Sequence, residues 1–199
     1  MTGRRFLTLL GALPLVGVVL MIIFAGAHNT GEYSVRQHDV VPAEQASAEP
    51  DMDDVHYLQM MIMHHRQALE MTALAPGRVL DPRVKSIAKR IEVGQGPEID
   101  MMSAWLTDHG QRVPAPDEKP HHPMPGMATP EQMAALKASS GAEYDRQFLQ
   151  LMITHHQGAI TMVEDDRPKL SDEQVKQMAD DVIPSQSAEI QRMKEIQGM

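Results

Sequence analysis

The sequence predicts an all-α protein whose folded part is built from four helices in two similar hairpins. Three observations carry that expectation. Asp54-Val55-His56-Tyr57-Leu58-Gln59-Met60-Met61-Ile62-Met63-His64-His65 returns without a gap as Asp145-Arg146-Gln147-Phe148-Leu149-Gln150-Leu151-Met152-Ile153-Thr154-His155-His156, an offset of 91. At the same offset, Gln95-x-x-Glu98-Ile99-x-x-Met102 returns as Gln186-x-x-Glu189-Ile190-x-x-Met193. Apolar residues elsewhere recur at helical spacing, and nothing after the N-terminal stretch alternates as a strand would.

The elements follow in order. Arg4-Arg5 precede Phe6 to Ala27, a run of 22 residues without charge, which is the length of a bilayer-spanning helix. Basic residues at its start and none just after favour an N-in orientation. Residues 1–27 are therefore read as a transmembrane anchor. A signal segment is the rival, because Ala25-Gly26-Ala27 is an acceptable cleavage site and Pro14 interrupts the run. The first reading gives a single-pass protein of the cell membrane with an extracytoplasmic C-terminal domain. The second gives a secreted or periplasmic one. Residues 28–50 read as a flexible linker, and residues 51–199 as the duplicated domain. Its repeat one covers 53–109 and its repeat two 144–199, joined by a His/Met/Pro-rich connection at 110–130.

Helix one is expected over residues 53–75, ended by Pro76-Gly77. Helix two starts at Asp81-Pro82, an N-cap followed by proline in the first turn, and runs to Asp108. Thr129-Pro130-Glu131-Gln132 opens a short helical stretch with capping-box spacing, broken at Ser139-Ser140-Gly141. Helix three spans 142–164. Ser171-Asp172-Glu173-Gln174 opens helix four, which reaches Gln197. Gly94, Gly96, Pro97 and Pro184 are expected to weaken or kink their helices.

Composition limits the chemistry. With 199 residues, three Phe, three Tyr, one Trp, 17 Met and no Cys, the core must be aliphatic and Met-rich, and neither a disulfide nor a thiolate metal site is possible. A net charge of −9 excludes nucleic acid as the main partner. On a helical wheel Asp54, Tyr57, Leu58, Met61, His64, His65 and Ala68 share a face, as do Asp145, Phe148, Leu149, Met152, His155, His156 and Ala159. Gln59, Met63, Arg66, Gln67 and Glu70 lie opposite, and Met63 is expected to be exposed. Both histidines of each pair thus straddle an apolar stripe, where unpartnered polar groups are costly.

Neutral imidazole is the commonest protein metal ligand, and thioether suits soft ions such as Cu(I). His64, His65, His155 and His156 are the principal candidate metal ligands, with Met61 and Met152 able to converge on them from one turn away. Gln95, Glu98, Met102, Gln186, Glu189 and Met193 share faces of helices two and four and are supporting candidates. For a tight hairpin, His64 sits level with Val93, so Gln95 is expected nearer than Glu98. Asp54 and Asp145 read as helix-start residues, and His56 and His109 as surface or helix-end residues. In the connection, His121, His122, Met124 and Met127 form a separate candidate for metal capture by a flexible loop.

The strings Met61-Ile62-x-His64-His65-x-x-Ala68-Leu69-x-Met71 and Met152-Ile153-x-His155-His156-x-x-Ala159-Ile160-x-Met162 resemble the signature of the domain of unknown function 305 family. Gln95-x-x-Glu98-Ile99-x-x-Met102-x-x-Trp105-Leu106 resembles its second element, although the second copy has Ile196-Gln197 in place of Trp-Leu. The resemblance implies a ferritin-like four-helix fold in extracytoplasmic, mostly bacterial proteins. It also implies copper binding in some relatives, the CopM-like proteins.

Three functions compete. The leading one is a membrane-anchored or exported metal-binding protein that sequesters or hands over an ion, copper first and another transition metal second. The next is a metal-dependent redox enzyme on the same scaffold. Its carboxylate di-iron version is disfavoured because no Glu has a His three residues later. The third is a helical interaction module with purely structural histidines. Binding is favoured over turnover, and homo-oligomerisation is left open.

Overall fold

The computed structural model describes residues 49–198. The anchor or signal expectation over 1–27, and the linker expectation up to residue 48, lie outside the described residues. Among the described residues there are five helices and no strand: α1 Met52–Ala73, α2 Pro82–Asp108, α3 Pro130–Ala138, α4 Gly141–Asp166 and α5 Glu173–Gln197. None of them is long and apolar enough to cross a membrane.

Local chemistry sets the starts. The Asp81 side chain accepts from the Arg83 amide with Pro82 in the first turn. Thr129 and Gln132 form a complete capping box at α3. Asp172 accepts from the amides of Gln174 and Val175. Each satisfies backbone donors that a helix start leaves without partners. Gly198 ends α5 in the left-handed region at φ 78°, where glycine meets no Cβ penalty. α2 continues through Pro97 and α5 through Pro184 as single helices, because packing of a whole face outweighs one weak position.

Helix α1 packs mainly on α2, and α4 on α5. Contacts of α1 with α4 and of α2 with α5 close the ring, while the short α3 touches α4. The interior is divided along its length. One apolar cluster joins Val55, Tyr57, Leu58, Met61 and Ile62 to Met102, Trp105 and Leu106, and to Met162, Val163, Val175 and Val182. The other joins Ala68 and Met71 to Val84, Ile87 and Ile91, and to Phe148, Leu149, Met152, Ile190 and Met193. Between the two, all four long helices contribute polar residues. These are His64 and His65 on α1, Gln95 and Glu98 on α2, His155 and His156 on α4, and Gln186 and Glu189 on α5.

The two repeats are tied reciprocally at their ends. Asp54, buried at the start of α1, accepts from the Ser171 amide at 3.0 Å, the Ser171 hydroxyl at 2.7 Å and the Asp172 amide at 3.0 Å. Asp145, buried at the start of α4, accepts from the amides of Leu80 at 3.1 Å and Asp81 at 2.7 Å. Each carboxylate therefore satisfies the backbone that leads into the other repeat's second helix. Charge-assisted bonds of this kind are about twice as strong as neutral ones. The sequence places both residues at helix starts, but their partners lie across the repeat boundary.

The connection is packed, not a free loop, and this corrects the expectation for the outer face of α1. Arg66 donates to the carbonyls of Pro114 and Ala115, and Gln59 to that of Arg112. Gln67 both accepts from the Ala128 amide at 2.7 Å and donates to its carbonyl at 2.9 Å. The segment buries Met63 and seats its own Met124 in the first apolar cluster. Met63 is covered because the chain crosses the polar face of α1 and supplies the carbonyls that face needs. Gly158 on α4 makes room for the crossing: a Cβ there would lie 2.1 Å from the Pro125 oxygen.

Candidate functional site

The polar layer begins with four imidazoles, His64, His65, His155 and His156, all fully excluded from solvent. His64 Nε2 donates to the carbonyl of Pro125 at 3.0 Å, so the crossing segment fixes this ring's tautomer. Burial pushes its pKa down to about 3, opposed by the Pro125 hydrogen bond and reinforced by the neighbouring imidazoles. A neutral ring with its proton on Nε2 leaves Nδ1 as a bare lone pair, and that atom has no hydrogen-bond partner.

His65 and His156 occupy equivalent positions and make equivalent bonds. His65 Nε2 lies 2.8 Å from Glu98 Oε2, and His156 Nε2 lies 2.8 Å from Glu189 Oε2. The expectation that Gln95 would be nearer than Glu98 is corrected here. Helical side chains lean toward their own N-terminus, and in an antiparallel hairpin His65 and Glu98 lean toward one another. The gap along the axis is closed by both side chains. A carboxylate behind an imidazole fixes its tautomer and orientation, as in outer shells of metal sites. The Nδ1 atoms of both rings are buried without partners.

His155 is the exception in the layer. Its ring lies 3.9 Å from that of His64, centroid to centroid, tilted by 37°. Neither of its nitrogens has a hydrogen-bond partner. Desolvation first, and then the surrounding imidazoles, hold its pKa well below the ordinary value, against a smaller opposing pull from the His64 backbone. The side chains of Gln95 and Gln186 are buried beside the layer with both amide atoms unpartnered. Buried polar atoms of this kind are ordinarily met by an ion or by ordered water.

The remaining candidates divide. Met61, Met152 and Met193 are fully buried, and Met102 is nearly so. Met61, His65, Glu98 and Met102 line one small cavity, together with Met101 and Met178, which the sequence reading did not single out. Among the described residues no group of three or more His, Asp or Glu side chains is drawn together closely enough to hold a metal ion. His64 and His155 meet as a pair, while His65 and His156 are each engaged with a glutamate. In the connection, His121 and His122 are exposed, Met124 is buried and Met127 packs against the core. Those four do not share one side, since half of the set is drawn inward by packing. His56 is exposed. His109 caps α2, its Nδ1 donating to the Trp105 carbonyl at 2.7 Å and its ring stacked on Trp105 at 3.9 Å.

Comparisons with known proteins agree with this architecture. The family described as Domain of unknown function (DUF305) matches residues 54–197. The crystal structure of a DUF305 fragment from Deinococcus radiodurans is 32% identical, with a TM-score of 0.65, covering 76% of this chain and 99% of that one. CopM in its Cu(II)-bound form is 31% identical, with a TM-score of 0.61, covering 71% of this chain and 93% of that one. One curated relative, the uncharacterized protein L153 of Acanthamoeba polyphaga mimivirus, is 44% identical over 57 residues, which are 29% of this chain and 38% of that protein.

Proposed function

The chain belongs to the DUF305 family, and from that premise we propose that it binds copper outside the cytoplasm and sequesters or hands over the ion without turnover. The observation that carries this reading is His155. An imidazole wholly buried, tilted against the His64 ring, with neither nitrogen partnered is costly to keep in a core unless something occupies its lone pair. The donor set fits the cargo. Neutral imidazoles with unpartnered nitrogens suit Cu(I) and Cu(II), and the thioethers of Met61 and Met152 add soft donors suited to Cu(I). His64 and His155 would supply the primary contact, with His65 and His156 oriented by Glu98 and Glu189. Similarity to CopM, solved with Cu(I) and with Cu(II) bound, supports the choice of ion.

The same reading takes the four long helices as a ferritin-like bundle. It tethers them to a membrane through residues 6–27 if that run is retained.

The test is elemental analysis of the full chain in detergent after gel filtration, loaded with copper, zinc and iron in competition. It is run beside a variant with His64, His65, His155 and His156 changed to Ala, and beside the milder His155→Gln. Copper retained by the native chain, lost from the quadruple variant and diminished in His155→Gln is the expected outcome. Retention of no ion above background by the native chain overturns the reading.

A further inference from the structure

The two repeats keep the same histidines and glutamates, yet they differ in what surrounds them. A cavity of about 70 Å³ lies where α1, α2 and α5 meet. Four methionines, Met61, Met101, Met102 and Met178, line it beside His65. His65 is fully buried with Nδ1 unpartnered, and Nε2 is held by Glu98. The cavity reaches solvent on one side, where Met101 is 51% exposed and the lining carboxylate Asp181 is exposed.

The offset of 91 gives the matching place in the second copy. Met61, His65, Glu98 and Met102 are kept there as Met152, His156, Glu189 and Met193. The rest changes: Met101 corresponds to Arg192, Met178 to Ile87 and Asp181 to Arg90. Arg90, Arg192 and Ile87 share one surface groove, and Arg90 also lines a groove with Glu189. Two guanidiniums, which cannot be deprotonated in proteins, thus stand where the first copy has a thioether and a carboxylate. One place offers soft donors under a negative rim, and the other offers a rim that repels cations.

We propose that the cavity lined by Met61, His65, Met101, Met102 and Met178 is a site for one soft monovalent cation, Cu(I) or Ag(I), and that the chain carries this site once, not twice. The proposal rests on the reading that the protein binds copper, and it names the oxidation state and the place where the ion is taken up. Thioethers hold Cu(I) without competing for protons, the His65 Nδ1 adds one harder donor, and Glu98 and Asp181 offset the positive charge. Met101 and Met178 lie nearest the surface and are the residues that distinguish this site from its counterpart.

The test uses the full chain in detergent with Ag(I), which is redox-inert under these conditions, and methionines labelled at the methyl carbon. Titration is expected to move the methyl signals of Met101 and Met178 and to saturate that response at one equivalent. Met101→Leu with Met178→Leu conserves volume at partly exposed positions, so folding is kept. This variant is expected to weaken uptake of that equivalent at least tenfold. The triple change Ile87→Met, Arg90→Asp, Arg192→Met is expected to add a second equivalent. Metal retained by the native chain with the Met101 and Met178 methyls unmoved, or uptake unchanged in the leucine variant, overturns this proposal while leaving the copper reading intact. Neither copper nor silver retained by the native chain overturns both.

Discussion

Acid is expected to unfold this domain along a slope set by two of its buried imidazoles. Burial holds His64 down to about 3 and His155 well below the ordinary value. In the unfolded chain both rings take a proton near pH ~6.5. Below that pH the unfolded state binds more protons than the native state, so the free energy of unfolding falls as the pH falls. One such ring removes about 1.4 kcal/mol per pH unit, and two remove about twice that. At about pH 5 the His64 ring alone would therefore have removed roughly 2 kcal/mol, and His155 adds to the loss in the same direction. A domain of this size has about 5–15 kcal/mol in total, so the loss is a large fraction of it. The His64 contribution stops growing near its native value of about 3, where the folded ring itself becomes charged. Urea unfolding followed by circular dichroism at several pH values between about 7.5 and 5, metal-free, measures the slope. A stability flat across that window, with unchanged urea dependence, would refute the argument that these rings are held neutral in the core.

Three further outcomes are expected. Gly158→Ala places a Cβ 2.1 Å from the Pro125 oxygen, so it should cost about 1–3 kcal/mol and raise amide exchange in the 110–128 segment; exchange unaltered there would count against the close crossing. Gln67→Ala removes both bonds to Ala128, and the Ala128 amide should lose exchange protection while the midpoints of the long helices keep theirs. Asp54→Asn and Asp145→Asn each weaken carboxylate bonds to backbone amides of the other repeat. Each should lower stability by roughly 1.5–3 kcal/mol in thermal or urea unfolding, and a change under about 0.5 kcal/mol would show that these contacts do not tie the repeats.

What the sequence revealed and what it concealed divide by range. Helix starts at Asp81, Thr129 and Asp172 were readable because a cap is a signal of three or four consecutive residues. The polar layer was readable because duplication preserved His65 with Glu98 and His156 with Glu189 at one offset. The pairing register was not readable, since counting residues along two axes ignores the lean of the side chains that spans the gap. The covered face of α1 was hidden for another reason. Gln59, Arg66 and Gln67 look like solvent-facing residues on a wheel, and only the path of residues 110–128 turns them into backbone partners. Met101, Met178 and Asp181 lay outside the conserved strings. Their signal is the difference between copies, which a search for similarity passes over.

The reciprocal aspartates bear on how such a molecule arises. A lone hairpin of this kind would have a buried carboxylate with no amides to receive it, and a loop whose amides await a carboxylate. Two identical hairpins meeting about a twofold axis cure both defects at once, each lending its acid to the other. A gene fusion joining such a pair then frees the halves to diverge. One can keep sulfur around its histidine while the other exchanges it for guanidinium, a division of labour that a symmetric dimer of identical chains has no means to encode.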